Sequence, residues 1–247
     1  MTTSKRAWGA ILVILLILSA DQLLKFWVKT DFYPGEARPL LGNWFRFLYV
    51  ENQGMAFGAT FGSGVYAKLF LSIFRLVAVG FGVYYLIQVI RSQEKRFEYI
   101  FAISMVLAGA TGNLLDSAFY DYLFKFDPNL PYNWLSKSDK YIFVEGAPAL
   151  RKTGFLMGNV VDMFQFNVQY PAWVPYLAGK DVFSAIWNIA DASIFSGIFI
   201  IIIRQKAFFP SKKKSESLVE NEESISNAEI LHEQDKTKTS SELDAND

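Results

Sequence analysis

A chain with no cysteine and a single histidine, His232 in a polar tail, has few ways to do chemistry. Thiol catalysis, disulfides and thiolate metal sites are excluded together, and so are serine–histidine hydrolysis and histidine–zinc sites in the folded body. What remains is carboxylate, lysine or tyrosine. Four aspartates, Asp21, Asp116, Asp162 and Asp191, stand in or at the rim of strongly apolar stretches. Ionisable groups there are expensive, so each needs a reason. Two carboxylates brought close in a partly desolvated site repel, so that one holds a proton near neutrality while the other is ionised. Such a pair can activate a water and protonate a leaving nitrogen without any metal or cofactor.

The elements that must position these acids are apolar segments of membrane-spanning length. Residues 7–28, 65–90, 97–115 and 182–203 each approach the roughly 20 residues needed to cross ~30 Å of hydrocarbon, and they are read as helices. The net charge of +0 averages this body with a polar tail and argues for no nucleic-acid partner. Lys5 and Arg6, then Arg91, Lys95 and Arg96, then Arg204 and Lys206 flank the segments and put both termini in the cytoplasm. Segments 29–64 and 118–181 are then extracytoplasmic. The first helix also has the look of a cleaved signal peptide, but Leu18 is large for a cleavage site, and apolar residues resume at Phe26-Trp27-Val28.

Residues 44–50 alternate in a strand-like way, with Asn43 and Asn52-Gln53-Gly54 as turn signals. Segment 118–181 is proline-rich and aromatic, without a clear period. The predicted architecture is an all-α integral membrane domain over 1–206, with four transmembrane helices and a small extracytoplasmic β-like element. A disordered polar tail, 207–247, follows in the cytoplasm. All four acids fall toward the outer side: Asp21 and Asp116 at helix ends, Asp162 after the long loop, Asp191 in the outer half of the fourth helix.

Their neighbours form clusters in a fixed order. These are Asp21-Gln22-Leu23-Leu24-Lys25, Asn52-Gln53-Gly54-Met55-Ala56-Phe57-Gly58, Gly112-Asn113-Leu114-Leu115-Asp116, Val160-Val161-Asp162-Met163 and Trp187-Asn188-Ile189-Ala190-Asp191. This series resembles the five signature blocks of lipoprotein signal peptidases (signal peptidase II) and covers roughly residues 7–206. The resemblance implies a monomeric aspartic endopeptidase of the bacterial inner membrane. It would remove signal peptides from prolipoproteins on the amino side of a lipid-modified cysteine, among membrane lipids and with no metal or cofactor. Asp162 and Asp191 correspond to the catalytic pair. Asn52, Gly54, Asn113, Asp116, Asn188 and Asp21 correspond to substrate-positioning or supporting residues.

There are two departures. Ser117 stands where the family has an arginine after the third block, and the stretch between Asp116 and Asp162 is unusually long. Arg151, in that stretch, is the expected substitute cation. Other readings of the same residues are a proton- or cation-coupled transporter, a non-catalytic assembly factor, and a serine–lysine protease using Lys68. Asp191 could pair structurally with Lys68 or Arg75, Asp21 and Asp116 could be helix-end acids, and Gly109 and Gly112 could be close-packing positions.

Overall fold

The computed structural model describes residues 2–33, 35–52, 65–92, 96–124 and 154–209. Within them the elements run α1 (Thr3–Asp31), β1 (Ala37–Leu41), β2 (Phe45–Asn52), α2 (Val65–Ser92), α3 (Phe97–Leu123), β3 (Val160–Phe166), β4 (Ile186–Trp187), α4 (Ile189–Ile203) and α5 (Gln205–Phe208). The chain divides into two units, Met1–Ile200 and Ile201–Asp247.

Three of the described helices, α1, α2 and α3, are long and apolar enough to cross a membrane. The burial of α1 and α2 is inverted relative to a water-soluble protein. On α1 the exposed side chains include Trp8, Leu12, Leu15, Leu16 and Leu23, while Asp21, Lys25 and Lys29 are buried. The four-residue spacing of these three puts them on one helix face. A polar stripe turned inward and a leucine surface turned outward suit a helix whose solvent is lipid. Helix α3 carries the complementary face, with Gly109, Gly112, Asn113, Asp116 and Ser117 at helical spacing. A Cβ on Gly109 would come within 2.2 Å of the Ala190 carbonyl oxygen, and one on Gly112 within 2.7 Å of Asp21 Oδ2. Both glycines are therefore what lets α1, α3 and α4 close around the aspartates.

The sheet is four-stranded and antiparallel, in the order β1-β2-β3-β4. One side packs on the helices through Val28, Phe32, Tyr49, Tyr120, Phe124, Val161 and Met163. The β2–β3 register contains an irregularity that decides which side chains share a face with Asp162. Phe47 faces Phe164, but Val50, rather than Tyr49, faces Asp162, so β2 holds one extra residue between these pairs. Side chains alternate along a strand, so the bulge exchanges the faces of everything beyond it. Asn52 thereby shares the Asp162 face, and Glu51 turns to the opposite one.

Several boundaries correct the sequence reading. The fourth helix begins at Ile189, not at 182, and residues 186 and 187 form β4 instead. Trp187 opposite Phe164 completes an aromatic ladder on β3 (centroids 4.8 Å apart), and pairing there wins over helix. At 15 residues α4 is about 22 Å long, short of a full hydrocarbon crossing. Helix α3 continues past 115 to Leu123, so residues 118–123 are helix and not loop, and Asp116 lies inside α3. Asp21 lies well inside α1 rather than at its end, and Asp191 in the first turn of α4. The strand-like segment is found as β2, with Asn52 its last residue and not a turn; β3 lies in the stretch that had no clear period. Gly54, Arg151 and the tail from 210 onward lie outside the described residues.

Candidate active site

Asn188 is the joint of the site. It follows β4 directly and caps α4, with its Oδ1 accepting the Asp191 N–H at 2.8 Å and its main-chain carbonyl accepting the Ala192 N–H at 3.1 Å. With Oδ1 thus engaged, its Nδ2 must point the other way. It donates to Asp162 Oδ1 at 2.7 Å, and lies 3.3 Å from both Asn113 Oδ1 and the Val161 carbonyl oxygen. Asp162 accepts a second bond at Oδ2, from Asn52 Nδ2 at 3.1 Å. Asp191 Oδ1 accepts from Asn113 Nδ2 at 2.8 Å. The two carboxylates are thus linked by two asparagine amides that each use both ends.

Beneath them lies a buried ion cluster. Lys25 Nζ donates to Asp21 Oδ2 (2.8 Å), Asp116 Oδ2 (2.7 Å) and Asn113 Oδ1 (3.0 Å), which uses all three ammonium hydrogens. The third contact fixes the Asn113 amide so that its NH₂ faces Asp191. Asp21 Oδ1 accepts the Ala190 N–H at 2.9 Å, so a carboxylate from α1 satisfies a free donor in the first turn of α4. Gln22 donates to Asp116 Oδ1 at 2.8 Å and accepts from the Tyr120 hydroxyl at 3.1 Å. Asp116 Oδ2 also receives the Val161 N–H at 3.4 Å, tying α3 to the strand that carries Asp162.

On the other face of the sheet, Glu51 receives Lys29, the Tyr49 hydroxyl (2.8 Å) and Asn159 Nδ2 (2.8 Å). Lys68 in turn bonds Asn159. Arg75 donates to Ser117 Oγ at 2.9 Å.

Asp162 is 3% exposed. Burial, and then the Asp191 carboxylate, push its carboxyl up to about 7, against the hydrogen bonds from Asn52 and Asn188 and the charge of Lys25. A group poised at neutrality beside a second carboxylate can exchange protons with water or a substrate amide.

The sequence matches the family described as Signal peptidase (SPase) II over residues 13–207. The chain belongs to that family. Among its relatives, the lipoprotein signal peptidase of Porphyromonas gingivalis is 35% identical over 196 residues, covering 77% of this chain and 80% of the relative. That of Amoebophilus asiaticus is 31% identical over 210 residues, covering 83% and 80%. A solved bacterial membrane enzyme shares the fold, with a TM-score of 0.50 at 20% identity, over 83% of this chain and 93% of its own. The protein is accordingly a bacterial membrane peptidase.

The described residues of the signal peptidase II blocks thus converge. Asp162, Asp191, Asn52, Asn113 and Asn188 form one hydrogen-bonded group, and Asp21 and Asp116 support it through Lys25. Lys25, Gln22 and Arg75 carry more of the site than their sequence context suggested. The signal for the first was a lysine four residues after Asp21 on one face of an apolar helix.

Proposed function

We propose that this chain is an aspartic endopeptidase that removes signal peptides from prolipoproteins on the amino side of a lipid-modified cysteine, with Asp162 and Asp191 as its catalytic pair. The observation that carries this reading is Asn188, one side chain that bonds Asp162 and the first turn holding Asp191. Asp162, near neutral pH the protonated member, donates to the scissile carbonyl oxygen. Asp191, in the first turn of α4, takes a proton from water as its oxygen attacks the carbonyl carbon. The tetrahedral intermediate then collapses. The carbon–nitrogen bond breaks, Asp191 returns its proton to the leaving nitrogen, and Asp162 recovers its own from the intermediate. The pair titrates as a unit. Asn52, Asn113 and Asn188 hold the carboxylates.

Four crossings with both termini cytoplasmic fit the basic flanks. The site then lies just below the outer surface, and α4 has only the remaining depth to cross, which suits its 15 residues. A lipid-modified substrate can keep its acyl chains in the bilayer while its peptide enters. The reading takes the protein as a monomer. A topology reporter fused after Gln205 should read cytoplasmic, and one inserted near Asn129 extracytoplasmic; the reverse pattern contradicts this orientation.

The activity test is a purified-protein assay. A prolipoprotein peptide with a diacylglyceryl cysteine should be cut once, directly before that cysteine, and the same peptide without lipid should be cut far more slowly. Equal cleavage of both peptides contradicts the substrate reading. The transporter alternative instead requires proton or cation flux in proteoliposomes, and membership of a peptidase family weighs against it.

A further inference from the structure

Arg75 is a charged residue in the middle of an apolar helix, so it carries a desolvation cost. Among the described residues its guanidinium makes one hydrogen bond, Nη1 to Ser117 Oγ at 2.9 Å, and no salt bridge. A guanidinium has five donors. The side chain is half-buried, and the charges of Asp116, Asp191 and Asp162 all act on it. It is therefore a cation docked at the edge of the carboxylate group, with donors that the described residues do not use.

The dock itself is directional. Ser117 Oγ donates to the Asn113 carbonyl oxygen at 3.0 Å, which leaves its lone pairs for Arg75. Ser117 lies one turn beyond Asn113 on α3, and Asn113 holds Asp191. So the guanidinium is fixed to the same helix face that orients the pair. It comes from α2, whereas Lys25 enters from α1.

We propose that Arg75 is a substrate-positioning residue, whose unused N–H groups hold a main-chain carbonyl of the substrate peptide beside Asp162 and Asp191. This rests on the peptidase reading above. The acceptor is a neutral carbonyl because the site is already rich in carboxylate, which disfavours a phosphate or a further carboxylate. An extended peptide presents such carbonyls next to the scissile bond. The arrangement also accounts for Ser117: with a small hydroxyl at that position, an arginine from α2 occupies the space that a long cationic side chain on α3 would fill.

The test uses the purified full-length protein and a diacylglyceryl-modified prolipoprotein peptide, with kcat, KM and melting temperature measured for each variant. Arg75→Ala is expected to raise KM by about 10- to 100-fold with a much smaller change in kcat, the pattern for a contact made equally in ground and transition states. Arg75→Lys should fold normally and still raise KM several-fold, because a point charge cannot serve Ser117 and a carbonyl together. The double variant Arg75→Ala/Ser117→Arg should bring KM back toward the wild-type value. A wild-type KM in Arg75→Lys, or no recovery in the double variant, overturns the proposal. Asp191→Asn in the same assay separates the two levels. If it is inactive while Arg75 variants behave as wild type, only the role of Arg75 falls; if it cleaves normally, Asp162 and Asp191 fall as the catalytic pair and Arg75 has no pair to position substrate against.

Discussion

Asp162→Asn and Asp191→Asn should each lower prolipoprotein cleavage by at least about a thousandfold while the protein stays folded. The amide keeps the size of the carboxyl group and can still accept from Asn188 or Asn113, but it can neither take up nor release a proton. Folding should not suffer at position 162. The Asp162 carboxyl is pushed up to about 7 by burial and by Asp191, so its charged form is costly in the native state, and a neutral amide removes that cost. A melting temperature at or above wild type, measured at pH 8, is therefore expected beside the lost activity. Variants that cleave at a tenth of the wild-type rate or better would remove the pair from the mechanism.

Lys25→Met has the largest expected effect on stability, a loss of roughly 3–5 kcal/mol. The ammonium is fully buried and is shared among Asp21, Asp116 and Asn113. Without it, two buried carboxylates face each other with no cation, and Asn113 loses the contact that orients its amide toward Asp191. A fall in melting temperature should come with loss of cleavage. Adding Asp116→Asn should recover part of the stability, because one uncompensated charge is gone. It should not recover activity, because Asn113 remains free to flip. An unchanged melting temperature in Lys25→Met contradicts a structural ion cluster at this site.

The long helices were legible because lipid demands about 20 apolar residues in a row, a condition residues 7–28 and 65–90 meet plainly. Strand β2 was legible from its alternation. The start of α4 was not. Residues 182–187 are as apolar as the helix that follows, so hydropathy alone runs them together. What divides them is pairing with β3 and a cap at Asn188. The Asn188-x-x-Asp191 spacing was a usable capping signal, a polar acceptor three residues before an acid. The end of α3 was missed because polar residues and tyrosines after 116 lower its hydropathy, although Tyr120 and Phe124 pack under the sheet.

For the site, the acids and asparagines could be picked out by type, because polar groups in apolar segments are rare. Their mutual contacts could not. Which of Glu51 and Asn52 faces Asp162 depends on one extra residue in β2, and nothing in the alternation of residues 45–52 reveals that bulge. Arg75 was weighed as a partner for Asp191; the structure bonds it instead to Ser117, the position where the family pattern is broken.

The most direct test of the central claim is the pH dependence of kcat/KM for the wild-type protein on a lipid-modified peptide. A pair that shares one proton is active only between its two ionisations. Raising the pH through about 7 removes the proton from Asp162, so activity should fall on the alkaline side; lowering the pH protonates Asp191, so it should fall on the acid side too. The account predicts a bell whose alkaline limb lies near neutrality. A rate that stays level from pH 5 to pH 9 in folded protein would contradict it.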